Sequence, residues 1–175
     1  LSVGRLAPQK RHDQVLRAFA RISPNHAQWR LALVGDGPER KSLSELIAVL
    51  GIGDRVEMTG FVDPAPYFER ASIFLLLSLY EGTSNALLEA MATGMTPIVA
   101  RGAGDAESIV KHGENGLVVS GSDPAETAEA LSSLIDDPVT LERLGKAAKQ
   151  SVEAGNKSRV NKEWLEALGV PHALF

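Results

Sequence analysis

The longest uninterrupted apolar run in the chain is Ile73-Phe74-Leu75-Leu76-Leu77, and Ser78 closes it. Its length suits a strand and falls far short of the roughly 20 apolar residues that cross a bilayer. A strand with no polar alternation must be covered on both faces. That is the situation of a central strand in a parallel sheet with helices packed on each side. This run therefore demands a layered α/β fold, and the remaining segments can be tested against that demand.

They agree with it. Leu1–Gly4, Arg30–Val34, Val56–Thr59, Pro97–Ala100 and Gly116–Val119 are further strand-sized segments. Between them, apolar residues recur at helical spacing. Val15, Leu16, Phe19 and Ile22 predict an amphipathic helix over Arg11–Ile22. Leu43, Leu46, Ile47 and Leu50 predict another, stopped by Gly51. Tyr67 and Phe68 lie in a brief helix after Asp63-Pro64, and Ala86–Thr93 is a helix stopped by Gly94. Asp123-Pro124 and Asp137-Pro138 each supply an N-cap followed by a proline at the first helical position. A last helix is expected over Ser158–Leu168, begun by Asn156 or Ser158 and ended by Gly169 and Pro171. Strands alternating with helices imply a mostly parallel sheet of about six strands with right-handed crossovers.

The chain's 175 residues suit a single domain spanning 1–175. There is no cysteine, which removes disulfides, zinc–thiolate sites and thiol nucleophiles together. A formal net charge of −4 opposes an electrostatic nucleic-acid binder. The chain begins at Leu1 in what reads as mid-strand, so a fragment of a longer protein is expected.

In parallel sheets, ligands sit at the carboxyl ends of the strands. The turns to inspect are Gly4–Lys10, Gly35–Pro38, Gly60–Asp63, Leu79–Asn85 and Arg101–Asp105. The first holds two cations, Arg5 and Lys10, a pair that suits a diphosphate; a solvated basic turn is the other reading. The fourth holds Glu81, then small residues, then a helix that carries Glu89. A helix N-terminus offers unpaired N–H groups to phosphate oxygens. On spacing alone, the two carboxylates could equally be surface acids. Gly35-Asp36-Gly37 and Gly102-Ala103-Gly104 lack the third glycine of a dinucleotide fingerprint, with Arg40 and Glu107 in its place, and read as tight turns. No phosphate-loop motif and no D-x-D occurs, and His12, His26, His112 and His172 share no ligand spacing, so no metal site is expected.

The stretch Glu81-Gly82-Thr83-Ser84-Asn85-Ala86-Leu87-Leu88-Glu89-Ala90-Met91-Ala92-Thr93-Gly94 resembles the E-x7-E segment of group 1 retaining glycosyltransferases of the GT-B fold. Val3-Gly4-Arg5-Leu6 with Lys10, Val34–Pro38, Val56–Val62 and Gly113–Val119 are similar to other segments of that family, in order and spacing. The resemblance implies a Rossmann-like three-layer domain, the C-terminal half of a GT-B enzyme, which binds a nucleoside-diphosphate sugar while the N-terminal half brings most of the acceptor site. It implies donor-diphosphate contacts from Gly4, Arg5, Lys10, Ser84, Asn85, Ala86 and Leu87. Sugar contacts would come from Glu81, Gly82 and Thr83, with Glu81 the catalytic residue, and ribose contacts from Glu89. Base contacts would come from Phe61 and Val62.

The implied reaction is transfer of a hexosyl-type sugar to a hydroxyl acceptor such as a glycan, lipid-linked sugar or polysaccharide, with retained configuration and no metal or other cofactor. It implies a cytoplasmic parent, compatible with association at the inner face of the membrane, and an isolated fragment without transfer activity. Half of a GT-B sugar-nucleotide epimerase or phosphorylase, or a non-catalytic nucleotide-binding domain, are the alternative functions. Two departures stand out. Thr83-Ser84-Asn85 replaces a frequent glycine and aromatic, and Gly102–Glu107 replaces a frequent adjacent-glycine, proline-acid run.

Overall fold

The computed structural model describes residues 1–82 and 84–167, with side chains as far as 155. Six strands are present: β1 (Ser2–Val3), β2 (Leu31–Val34), β3 (Val56–Gly60), β4 (Ile73–Leu76), β5 (Thr96–Ala100) and β6 (Leu117–Val119). Seven helices accompany them: α1 (His12–Ile22), α2 (Arg40–Leu50), α3 (Ala65–Phe68), α4 (Asn85–Ala92), α5 (Asp105–Ile109), α6 (Pro124–Asp136) and α7 (Pro138–Ala167).

All strand pairs are parallel, in two three-stranded sheets ordered β1-β2-β3 and β4-β5-β6. Leu1 joins their edges. Its amine donates to the Ile73 carbonyl at 2.9 Å, and its carbonyl accepts from the Leu75 N–H at 2.8 Å. The spatial sequence is thus β3-β2-β1-β4-β5-β6, and the winding direction reverses between β1 and β4. That reversal opens a crevice above the carboxyl ends of those two strands. The loops that leave them are Gly4–Lys10 and Leu77–Ser84.

Helices cover the sheets as the unalternating β4 requires. All four β4 residues are buried. Helix α1 packs against α2 and α6, and α4 packs with α7 over β5. The predicted α1 stripe of Val15, Leu16, Phe19 and Ile22 is buried throughout. At roughly 1.5–3 kcal/mol per fully buried large apolar side chain, such stripes dominate the favourable side of folding.

Three expectations need correction. Arg11 is not helical: it is the N-cap of α1 and sits in the left-handed region at φ 54°, ψ 40°. The expected break near Asn156 is absent, because α7 runs unbroken from Pro138 to Ala167. Between Pro138 and Pro171 there is no proline to end a helix, and an interior glycine such as Gly155 costs only about 1 kcal/mol. Helix α5 is an element that the spacing does not predict; it follows Gly104, and its Glu107 carboxylate accepts from the Gly102 N–H at 2.7 Å. Gly169 and Pro171, expected to end the last helix, lie outside the described residues, as does Thr83.

The Gly35-Asp36-Gly37 turn is a close-packing device. A Cβ on Gly35 would stand 2.0 Å from the Gly4 carbonyl oxygen, and one on Gly37 would stand 2.4 Å from that of Leu6. Only a bare backbone lets the loop after β2 lie this close to the loop after β1.

Candidate functional site

The β1 loop is held firmly. Gly4 N–H donates to Val34 O at 2.9 Å and Leu6 N–H to Asp36 O at 3.0 Å, while the Leu6 side chain is fully buried. A 3-10 turn over Pro8–Lys10 then reverses the chain, with Lys10 N–H on Ala7 O at 2.9 Å. The turn brings the Lys10 side chain back over Gly4, where a Cβ in place of the glycine hydrogen would lie only 3.5 Å from Lys10 Cε.

From there the Lys10 ammonium reaches across the crevice and forms an ion pair with Glu81 Oε1. The Ser78 hydroxyl donates to the same oxygen at 2.6 Å. Main-chain contacts hold the two loops in place. Leu79 N–H donates to Gln9 O at 2.8 Å, which ties the β4 loop to the β1 loop. On the other side Gly104, at φ 64° and ψ −132°, lies directly against Glu81: a Cβ there would be 2.2 Å from the Glu81 carbonyl oxygen.

Arg5 is exposed. With Val3, Gly4, Val34, Gly35, Asp36, Phe61, Val62 and Pro64 it lines a pocket of about 470 Å3 at the carboxyl edge of β1–β3. Phe61 is 94% exposed. An apolar ring left in water next to a cation and a glycine-rich backbone suits a ligand with one flat apolar end and one anionic end. The structure thus gathers Gly4, Arg5, Phe61 and Val62 around one pocket, and Lys10, which lies over the pocket's Gly4, pairs with Glu81.

Helix α4 begins at the same crevice. Ser84 is its N-cap: its Oγ accepts from the Leu87 N–H at 3.4 Å, and its carbonyl accepts from Leu87 and Leu88 N–H at 3.1 and 3.2 Å. Leu87 N–H is therefore already engaged inside the helix. Asn85 and Ala86 are the first helical residues, where backbone N–H groups have no intrahelical acceptor. Glu89 is exposed on α4 and lines no described pocket, and among the described residues its carboxylate receives no hydrogen bond.

His12 is 1% exposed and its Nδ1 has no hydrogen-bond partner. Burial, followed by the Lys10 charge, lowers its pKa to about 4 against a smaller opposing effect of Asp13. The imidazole is neutral at pH 7, so the positive charge of this region comes from Arg5, Lys10 and Arg11. Ser78 is the contributor that residue spacing does not single out, and Gly104, read as part of a tight turn, gives no sequence signal of its contact with Glu81. The one available signal is position: Ser78 is the first polar residue after the central strand, at the edge where ligands bind.

Residues 1–151 match the family described as glycosyl transferases group 1. An exopolysaccharide phosphotransferase of Streptomyces coelicolor is 38% identical over 169 residues, covering 93% of this chain and 17% of that protein. Alpha-D-kanosaminyltransferase of Streptomyces kanamyceticus is 32% identical over 163 residues, covering 88% of this chain and 42% of that protein. The chain thus spans less than half the length of these relatives. Among solved structures, Anabaena HepE in complex with UDP superposes with a TM-score of 0.83 at 26% identity, covering 97% of this chain and 49% of the other.

Proposed function

The chain belongs to the group 1 glycosyl transferases, and from that premise we propose that it is the donor-binding half of a retaining glycosyltransferase. The donor is a nucleoside-diphosphate sugar and the acceptor a hydroxyl of a glycan, lipid-linked sugar or polysaccharide. The observation that carries this reading is the convergence at one crevice of a pocket bearing Arg5 and Phe61 with the Lys10–Glu81 pair.

Each group is assigned a role in donor binding. Phe61 and Val62 offer the base an apolar surface. Arg5 and Lys10, with the Asn85 and Ala86 N–H groups, meet the diphosphate, and Glu89 takes the ribose hydroxyls. Glu81, with Gly82 and Thr83, holds the transferred sugar. In the reaction, the bond from the anomeric carbon to the diphosphate oxygen breaks, and the acceptor oxygen attacks from the same face. The acceptor proton passes to the departing phosphate oxygen, so no protein nucleophile is needed and Glu81 acts as positioner. Charge accumulates on the diphosphate as it leaves, and a preorganised donor aimed at such charge is worth about 3 kcal/mol. Two cations and a helix start meet that charge, so we propose transfer without a metal or other cofactor.

The acceptor side would come from an N-terminal half, and we propose that this chain alone binds donor without transferring sugar. Among the described residues no helix is long and apolar enough to cross a membrane. We place the parent in the cytoplasm, with lipid-linked acceptors bringing it to the inner membrane face. Amide NMR titration of this chain with UDP and GDP tests the reading. Shifts at Gly4, Arg5, Lys10, Phe61 and Ser84–Glu89 are expected; a spectrum unmoved at millimolar nucleotide removes it.

A further inference from the structure

Glu81 is held by a residue for which the donor-site reading has no role. Ser78 follows β4, is 1% exposed, and donates its hydroxyl to Glu81 Oε1. Lys10 pairs with that same oxygen, so among the described residues both donors converge on Oε1 and none reaches Oε2. The two donors differ in freedom. Lys10 stands at the end of a four-carbon stem, and an incoming diphosphate competes for its charge. Ser78 has a single rotatable bond on a buried main chain and cannot follow.

We propose that Ser78 is a positioning residue: it keeps Glu81 Oε1 anchored when Lys10 turns to the diphosphate, so that Oε2 faces the transferred sugar. The inference rests on the donor-site reading and adds to it the group that holds the carboxylate during the reaction. The surroundings support this division of labour. Leu79 N–H on Gln9 O and Gly104 against the Glu81 carbonyl fix the main chain on both sides of the loop. They leave the orientation of the carboxylate itself to the side-chain donors. A buried hydroxyl also needs a partner, and Glu81 is the acceptor that Ser78 has.

The test uses the full-length protein that contains this chain, with UDP release from UDP-glucose, UDP-galactose and UDP-N-acetylglucosamine as the readout. Ser78→Ala is expected to lower kcat roughly 10- to 100-fold, with donor KM within about 3-fold of wild type, because a misaimed carboxylate affects the reacting geometry more than binding. Inhibition by UDP, which lacks the sugar, should stay unchanged. Ser78→Thr keeps the hydroxyl and should restore most of the rate. If the alanine variant does not fold, Ser78→Cys, similar in size with a weak donor, replaces it with the same expected loss. Turnover of Ser78→Ala near wild type beside a strong loss in Glu81→Gln overturns the Ser78 inference and leaves the donor site standing. Equal losses in Ser78→Ala and Ser78→Thr overturn it too, since the hydroxyl would then not matter. No nucleotide release by the wild type from these donors or from GDP-sugars, or full activity of Glu81→Gln, removes both.

Discussion

Replacing Gly104 with alanine should uncouple the Leu77–Ser84 loop from the rest of the site. The new Cβ would stand 2.2 Å from the Glu81 carbonyl oxygen. Ordinary contact begins near about 3.5 Å, so one of the two backbones must retreat by more than about 1 Å. The backbone at Gly104, φ 64° and ψ −132°, adds strain of about 1–3 kcal/mol for a residue with a side chain. Gly102 supplies a matched control. It too has a positive φ, 77°, but a Cβ there meets nothing within 4 Å. Gly102→Ala should therefore carry only the strain, about 1–2 kcal/mol. Urea unfolding of this chain should place Gly104→Ala below Gly102→Ala by roughly 2 kcal/mol, the difference being the clash. Donor turnover by the full-length protein should fall about 100-fold in Gly104→Ala, the scale expected for a roughly 1 Å misplacement of a reacting group. UDP affinity, which the proposed donor site assigns to Gly4, Arg5 and Phe61, should move little. Equal stability and equal turnover of the two variants would refute the argument that Gly104 buttresses Glu81.

Lys10→Met leaves the Glu81 carboxylate, 13% exposed, with Ser78 as its remaining donor among the described residues; equilibrium unfolding should show a loss of about 1–3 kcal/mol, between the values for exposed and fully buried pairs. Arg11→Gly removes a left-handed non-glycine residue and should raise stability by about 1 kcal/mol, read as a melting shift of roughly 2–4 °C; a lower melting temperature would show that the Arg11 side chain outweighs its backbone strain. His12 has a folded pKa of about 4 against an ordinary 6.5, so the unfolded chain binds its proton first as pH falls. Its contribution is fully present above pH 6.5 and is lost between 6.5 and 4, amounting to about 3 kcal/mol. His12→Asn should flatten that part of the stability–pH curve; an unchanged slope would refute the assignment.

Periodicity carries the fold because burial is a property of patterns. Val15, Leu16, Phe19 and Ile22 announce a buried stripe, and Ile73–Leu77 announces a strand covered twice, whatever their partners are. The continuity of α7 is hard to read because Asn156 and Gly155 weaken a helix by amounts that packing elsewhere can offset. Helix α5 leaves no signal because five residues are too few to show a period. At the site, Arg5, Lys10 and Glu81 are legible as chemistry at strand ends, and the family resemblance supplies their roles. That Lys10 folds back over Gly4 and meets Glu81, 71 positions away in sequence, depends on a 3-10 turn and on the β1–β4 reversal, neither of which leaves a local signature. Ser78 is silent for a related reason: a serine is a common residue, and only its three-dimensional neighbours make it specific, while Gly104 is legible as part of a G-x-G turn but its packing against Glu81 is not.

A crystal structure of this chain with UDP tests the whole account most directly. The account predicts uracil against Phe61 and Val62 and phosphate oxygens between Arg5, Lys10 and the Ala86 N–H, with Lys10 drawn away from Glu81. A second cavity, of about 510 Å3 and lined by Arg30, Arg55 and Arg70, lies at the amino ends of β1–β3. UDP ordered there, with the Lys10–Glu81 crevice empty, would contradict the assignment of the donor site.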